Sequence, residues 1–279
     1  METFKTPDGT LLACHRTGAG NPLVCVPGGP MQASSYLGDL AGLSAHRPLA
    51  LLDLRGTGES AAPADPATYR CDRQVDDLEA LRLDLGLDRL DLAAHSAGAT
   101  IALLYAVRHP GRLGRLLLIT PTPRVTGIEV TDDDRREVAE MRRGEPWFPA
   151  AFAALERIWS GQATDSDWPA IAPFVYGRWD ALTRSAYAQE DELRNAEAAA
   201  AYYGSGAFDP AEVRAGLTRV SVPVLLIAGE FDVQLPPRRA AEYAALFPQA
   251  ELAIHRGGAH FPWLDDPAQF VHTAAAFLR

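Results

Sequence analysis

The stretch Leu90-Asp91-Leu92-Ala93-Ala94-His95-Ser96-Ala97-Gly98 is the most informative part of this 279-residue sequence. Its first five residues predict a short buried strand, and residues 99–108 have the apolar spacing of a helix. Ser96 would then stand on a tight turn that exposes its hydroxyl above the end of a sheet. The pattern small-x-Ser-x-Gly is typical of a nucleophilic serine, although a serine that caps a helix gives the same pattern.

Short apolar runs alternate with helical patterns on both sides of this stretch. After a hairpin within residues 4–16, further strands are predicted at residues 23–26, 49–53, 116–119, 223–228 and 250–254. Residues 75–82 have helical spacing. Strands that alternate with helices in this way form parallel βαβ units with helices on both faces of the sheet. The sequence therefore predicts an α/β fold with a mostly parallel sheet flanked by helices.

The alternation stops after Pro121-Thr122-Pro123 and resumes near Val220. We predict an α/β core of residues 1–122 and 211–279, and an inserted helical cap of residues 123–210 over one end of the sheet. Residues 124–210 contain nine arginines and sixteen acidic residues. An acidic vestibule would favour a cationic group such as a peptide N-terminus. A solvated helical surface, for example at Asp132-Asp133-Asp134, would have the same composition.

A serine hydroxyl becomes a good nucleophile only when a base takes its proton. Of the seven histidines, His260 is the best placed, on the glycine-rich loop 257–262 between the last predicted strand and the C-terminal helix. His95 adjoins the serine, but neighbouring side chains on a tight turn diverge, so we expect His95 to support the turn. His255 is interpreted as a structural residue.

The histidine needs a carboxylate to orient its ring and stabilise the imidazolium. Asp232 follows the strand predicted at residues 223–228, and Glu230 is its competitor on the same face of an extended chain. Asp232 is preferred because it lies further beyond the strand end, toward the edge where ligands bind. We expect Asp265 and Asp266 to cap the last helix.

An acyl-transfer site also needs backbone donors for the developing oxyanion. Val26-Pro27-Gly28-Gly29-Pro30 leaves the first central strand with paired glycines, which allow the backbone to approach a substrate oxygen closely. The predicted donors are the N–H groups of Gly29 and of Ala97, at the start of the helix after Ser96. A plain glycine turn is the alternative interpretation of the paired glycines.

These segments, together with Asp53-Leu54-Arg55-Gly56-Thr57-Gly58-Glu59-Ser60, resemble α/β-hydrolases, and the chain order Ser, Asp, His is the order of that family. The Gly-Gly-Pro segment and D-x-R-G-x-G-x-S are most similar to those of prolyl iminopeptidases. The resemblance implies an eight-stranded sheet, a helical cap, no metal and no cofactor. It also implies a structural role for residues 53–60 and cap glutamates that bind the free amine of the substrate.

The cap is rich in aromatic residues, and these suggest a pocket for a flat or cyclic apolar group. Candidates for the pocket are Trp147, Trp179, Tyr202 and Trp263. Glu197 and Trp179-Asp180 lie in surroundings similar to those of the amine-binding glutamates in the peptidases. Ordinary packing would also account for most of these aromatic residues.

The net charge of −10 argues against nucleic acid and anionic membranes as partners. The first residues lack the apolar core of a signal peptide. Three cysteines without a CxxC pair indicate buried thiols in a reducing compartment. We therefore expect a cytoplasmic protein with a small-molecule substrate, and the oligomeric state is left open.

The sequence as a whole predicts a serine hydrolase that cleaves a small ester, lactone or amide through an acyl-enzyme, with Ser96, Asp232 and His260 as its triad. A prolyl iminopeptidase-like aminopeptidase is one subtype. An esterase, a lactonase or a tailoring hydrolase of secondary metabolism is the alternative. A non-catalytic receptor on the same scaffold would have no need of both the complete triad and the paired glycines. An epoxide hydrolase or a haloalkane dehalogenase would normally have an aspartate at position 96.

Overall fold

A computed structural model describes residues 1–279 and contains one eight-stranded sheet. In chain order the strands are β1 (Glu2–Lys5), β2 (Leu11–Thr17), β3 (Leu23–Val26), β4 (Leu49–Leu52), β5 (Leu90–His95), β6 (Leu113–Ile119), β7 (Val224–Gly229) and β8 (Ala250–His255). Their order across the sheet is β1-β2-β4-β3-β5-β6-β7-β8. The pairs β1–β2 and β2–β4 are antiparallel, and every other pair is parallel.

The helices are α1 (Val75–Asp84), α2 (Gly98–Arg108), α3 (Asp132–Glu140), α4 (Phe148–Trp159), α5 (Asp167–Ala170), α6 (Ala181–Ala188), α7 (Glu190–Leu193), α8 (Ala196–Tyr202), α9 (Pro210–Leu217), α10 (Pro237–Ala244), α11 (Pro262–Asp265) and α12 (Pro267–Leu278). None of them combines the length and the apolar character that crossing a bilayer requires.

The central strands are apolar along their whole length because helices cover both faces of the sheet. Every residue of β3, β4 and β7 is buried. On one face the sheet packs against α1, α2 and α9, and on the other against α12. The predicted α/β-hydrolase fold with eight mostly parallel strands is confirmed.

The predicted elements agree with the structure apart from their ends. The hairpin within residues 4–16 is the antiparallel pair β1–β2. β6 begins at Leu113, three residues before its predicted start, because Leu113 pairs with Leu90 of β5 across a register shift. β4 ends at Leu52, so Asp53 already belongs to the following loop. The three cysteines are buried, as predicted.

Asp53 accepts several hydrogen bonds that hold this loop in place. Its Oδ1 accepts hydrogen bonds from the N–H and the hydroxyl of Ser34, at 2.8 Å and 2.7 Å. Its Oδ2 accepts the N–H of Glu59 at 3.0 Å and lies 2.8 Å from Nε2 of His15. These bonds tie the loop after β4 to the chain that follows the Gly-Gly-Pro segment, which is consistent with the structural role expected for residues 53–60.

Residues 123–210, the helical segment below, contain helices α3 to α8 and no strand. The segment is held to the loop that follows β3 by backbone hydrogen bonds. The N–H of Ala33 donates to Leu193 O at 2.8 Å, and that of Asn195 donates to Met31 O at 3.0 Å. The predicted division into an α/β core of residues 1–122 and 211–279 and a cap of residues 123–210 stays a prediction.

Candidate active site

Ser96 lies on a sharp turn between β5 and α2 and has a φ of 49°, a left-handed conformation that is rare for a residue with a side chain. Two glycines make room for this turn. A Cβ on Gly98 would lie 2.4 Å from the carbonyl oxygen of Pro27, and one on Gly28 would lie 2.9 Å from Cβ of Ser96. The loop after β3 and the turn at Ser96 therefore meet closely, as the small residues around Ser96 predict.

The three predicted triad residues form one hydrogen-bonded row. Nε2 of His260 lies 2.9 Å from Oγ of Ser96, and Nδ1 of His260 lies 2.9 Å from Oδ2 of Asp232. The second oxygen of Asp232 accepts the N–H of Gln234 at 2.8 Å. Asp232 and His260 are buried, whereas Ser96 is partly open to solvent. This order lets His260 take a proton from Ser96 while Asp232 holds the other side of the ring.

The competing carboxylate and histidine lie elsewhere. Glu230 accepts the N–H of Gly257 through Oε2 at 2.8 Å, so its carboxylate braces the loop that leads to His260. His255 is buried at the end of β8, and its ring makes no hydrogen bond. The structure thus brings Asp232 to His260 and keeps Glu230 and His255 out of the row.

The two aspartates after His260 differ in what they bind. Asp266 caps α12 by accepting the N–H of Gln269 at 2.9 Å, as predicted. The same expectation is wrong for Asp265. Its carboxylate accepts the N–H of Ala259 at 2.7 Å and that of Gly177 at 2.8 Å. It therefore joins the loop of His260 to the helical segment, a contact between distant parts of the chain that helix-end patterns do not reveal.

The two predicted oxyanion donors belong to the loop after β3 and to the turn at Ser96. Gly29 has a φ of 115° in the loop after β3, and Ala97 directly precedes α2. Neither N–H donates to a backbone carbonyl. The N-terminus of α2 adds a favourable dipole for negative charge. Both groups are therefore free to bind a substrate oxygen.

A network through Tyr36 and His95 joins these loops. The N–H of Gly28 donates to the hydroxyl of Tyr36 at 2.7 Å, and that hydroxyl lies 2.7 Å from Nδ1 of His95. Nε2 of His95 lies 3.0 Å from the carbonyl oxygen of His260. Burial and the nearby His260 hold the pKa of His95 well below its usual value, so His95 is neutral. A neutral ring accepts from Tyr36 at Nδ1 and donates to His260 O from Nε2.

This network gives His95 the supporting role expected from the sequence. Tyr36 was not singled out there, and no local pattern marks it, because its partners lie far away along the chain.

Two of the predicted pocket residues are packed inside the protein. Tyr202 is fully buried, and its hydroxyl donates to the carbonyl oxygen of Ala97 at 2.9 Å. Trp263 is 2% exposed, and its ring meets that of His95 edge-on at 4.9 Å. Both side chains therefore support the turn at Ser96 by contacting the residues that flank it.

The other three predicted pocket residues have different neighbours. Trp147 packs edge-on against Phe174 at 4.9 Å, at the start of α4. Trp179 lies 5.6 Å from Tyr176 and is partly exposed. Glu197 is exposed in the first turn of α8. No contact between any two of the five predicted residues is observed, and their contact with substrate stays a prediction.

Glu190 is an acidic side chain near His260 that the sequence analysis missed. Its Oε1 accepts a hydrogen bond from the hydroxyl of Tyr176 at 2.9 Å. The Tyr176 ring stacks at 4.9 Å on the ring of Phe261, the residue that follows His260 in the chain. Burial raises the pKa of Glu190, and the hydrogen bond from Tyr176 opposes that shift. The acidic run Glu190-Asp191-Glu192 is visible in the sequence, but only its packing separates Glu190 from its exposed neighbours.

The comparisons with known proteins agree with this fold. The profile of the family described as alpha/beta hydrolase fold matches residues 21–267, so the chain belongs to the α/β-hydrolase fold family. The predicted α/β-hydrolase is thereby confirmed. The chain is 25% identical over 273 residues to "Proline iminopeptidase" of Heyndrickxia coagulans, covering 94% of this chain and 92% of that one. The predicted similarity to prolyl iminopeptidases is confirmed as a similarity.

Solved structures show the same fold. The proline iminopeptidase of Mycobacterium smegmatis superposes with a TM-score of 0.76 at 24% identity, over 99% of this chain and 97% of that one. An esterase from Exiguobacterium antarcticum superposes with a TM-score of 0.73 at 19% identity, over 99% and 98%. Peptidase and esterase thus have one architecture in common with this chain, and fold alone does not separate them.

Proposed function

We propose that this protein is a serine hydrolase that cleaves amide or ester bonds through an acyl-enzyme, with Ser96 as nucleophile, His260 as base and Asp232 as its orienting carboxylate. The hydrogen-bonded row of these three side chains carries the proposal. A binding protein on the same fold would gain nothing from a buried carboxylate aligned behind a histidine and a serine.

The reaction follows from the positions of these atoms. Oγ of Ser96 bonds to the substrate carbonyl carbon while Nε2 of His260 takes its proton. The carbonyl oxygen becomes anionic and accepts the N–H groups of Gly29 and Ala97. His260 then gives the proton to the leaving nitrogen or oxygen as the bond to that atom breaks. A water molecule, deprotonated by His260, attacks the acyl carbon, releases the acid and restores Ser96.

The proposed subtype is an aminopeptidase similar to proline iminopeptidases. The relative from Heyndrickxia coagulans supports it through a similarity that covers nearly the whole chain. Glu190 supports it through chemistry, since a partly buried carboxylate near His260 is a suitable partner for the free amine of a substrate. The buried Tyr176, which stacks on Phe261, donates its hydroxyl to this carboxylate and holds it in place. The helical segment is then the cap that supplies the amine site.

A fluorophosphonate probe tests the nucleophile. We expect the probe to label the protein, and the label to be absent in Ser96→Ala. Labelling of the Ser96→Ala variant at the wild-type level would contradict the proposed nucleophile. Ser185→Ala, in which an exposed serine of α6 is changed, is the matched control and keeps the label.

Three substrates test the subtype. We expect proline p-nitroanilide to be cleaved with a higher kcat/KM than its N-acetyl derivative, since acetylation removes the charge that Glu190 binds. A p-nitrophenyl ester of a short acid reports on the triad without an amine. Rapid turnover of the ester with no preference between the two anilides would replace the aminopeptidase with an esterase or lactonase.

A further inference from the structure

A cavity of about 320 Å³ reaches His260 from the side of the β6–α3 connection. Pro121, Thr122, Pro123 and Arg124 follow β6 and form one wall, and Arg135 of α3 contributes to another. The N–H of Thr122 donates to the carbonyl oxygen of Ser96 at 3.1 Å, so this wall is joined to the turn that bears the nucleophile. The volume is at the lower end of the range for small-molecule sites.

The charge of this cavity is opposite to that of the helical segment as a whole. Arg124 and Arg135 line it, and no aspartate or glutamate does. Arg124 lies 4.4 Å over the ring of Tyr203 and makes no ion pair. Nη1 of Arg135 donates to Val130 O at 2.6 Å and pairs with the exposed Asp132 at 3.2 Å, and the other two guanidinium nitrogens make no hydrogen bond. Two arginines thus line a small space that no aspartate or glutamate lines.

The cavity borders the residue that handles the leaving group. In the proposed mechanism His260 passes its proton to the leaving nitrogen or oxygen, so that atom must lie against the His260 ring. The carbonyl oxygen is bound by the N–H groups of Gly29 and Ala97 instead, and neither residue lines the cavity. A group attached to the leaving atom can therefore enter the cavity that His260 borders.

We propose that this cavity binds a carboxylate on the leaving group of the substrate, with Arg124 and Arg135 as its cationic partners. Guanidinium groups bind carboxylates with paired, charge-assisted hydrogen bonds. The leaving group is then a single α-amino acid when an amide is cleaved, or a hydroxy acid when an ester is cleaved. The inference rests on the proposed function and restricts it to short substrates that end in a carboxylate.

Matched substrates with and without that carboxylate provide the test. Prolylglycine is compared with prolylglycinamide, and 4-carboxyphenyl acetate with 4-carbamoylphenyl acetate. In the wild type we expect kcat/KM to favour the carboxylate member of each pair by about 10- to 100-fold, as charge-assisted hydrogen bonds imply. The ester pair measures the preference for a carboxylate whether or not the enzyme cleaves amides.

Variants assign the preference to the two arginines. We expect Arg124→Gln and Arg135→Gln each to lower the carboxylate-to-amide ratio several-fold, and the double variant to bring it close to one. Arg135→Lys should retain part of the ratio because it keeps the charge and loses the paired geometry. Arg136→Gln is the matched control, since Arg136 neighbours Arg135, pairs with Glu156 at 3.0 Å and does not line the cavity.

The ratio is taken within each variant, so a variant that folds poorly lowers both rates and the ratio stays readable. A wild-type ratio near one, or a ratio unchanged in the double variant, overturns the carboxylate site while rapid hydrolysis of neutral esters upholds the proposed function. Absence of turnover and of fluorophosphonate labelling in the wild type overturns the proposed function and this inference with it.

Discussion

Ser96, Asp232 and His260 stand on loops that follow β5, β7 and β8 of the core, whereas Glu190 and Arg135 stand on helices of the helical segment. The core side chains meet at one edge because the carboxyl ends of parallel strands share an edge. In the segment, Glu190 lies near His260, and Arg124 and Arg135 line a cavity that His260 borders. In our proposal the core therefore performs the reaction, and the segment selects the substrate.

Removal of the nucleophile tests the role of the core most directly. We expect Ser96→Ala to lower kcat by about 10⁴- to 10⁶-fold on every substrate, because no other group replaces the attacking oxygen. Steady-state kinetics measure the loss, with Ser185→Ala as control. Near-normal turnover in Ser96→Ala would place the reaction elsewhere.

The next effect separates two carboxylates on the same loop of the core. We expect Asp232→Asn to lower kcat by about 10³- to 10⁴-fold, since an amide neither stabilises the imidazolium nor fixes the correct tautomer of His260. Glu230→Gln is the matched control and should have a far smaller effect, because Glu230 accepts only the N–H of Gly257. Equal losses in the two variants would contradict the assignment of Asp232.

The segment is tested at Glu190. We expect Glu190→Gln to lower the preference for proline p-nitroanilide over its N-acetyl derivative by about 10- to 100-fold, because the charge that pairs with the amine is gone. Glu192→Gln, an exposed neighbour on α7, is the control. An unchanged preference in Glu190→Gln would assign the amine to another group.

The same carboxylate predicts a pH dependence. Burial raises the pKa of Glu190 above the usual value of a glutamate, and only its ionised form binds a cation. As pH falls through that raised pKa, kcat/KM for the amine substrate should fall more steeply than for the N-acetyl derivative. The extra acid limb should be absent in Glu190→Gln, and its persistence there would exclude Glu190 as its source.

The smallest effect concerns the junction between the core loops. Tyr36→Phe leaves the N–H of Gly28 and Nδ1 of His95 without their partner. We expect a stability loss of about 1–3 kcal/mol. We also expect kcat to fall by about two- to tenfold with little change in KM, since the backbone near Gly29 loses support. Tyr187→Phe, at a partly exposed position of α6, is the control for thermal unfolding and kinetics.

Sequence patterns were sufficient to predict the features whose residues are neighbours in the chain. The turn at Ser96, the strand ends at Asp232 and His260 and the paired glycines are all local features. The sequence also favoured Asp232 over Glu230 from its distance beyond the strand end. It was wrong about Asp265, whose partners Ala259 and Gly177 lie on separate parts of the chain.

By itself the sequence determined the α/β class, the positions of the strands along the chain and the three residues proposed to react, because apolar period and turn chemistry act within about ten residues. Only the tertiary structure decided that Tyr36 and His95 join the loops and that Glu190 approaches His260. It alone showed that two arginines of an otherwise acidic segment line one cavity. These features depend on how the helices pack over the sheet edge, and no short stretch of sequence encodes such long-range contacts.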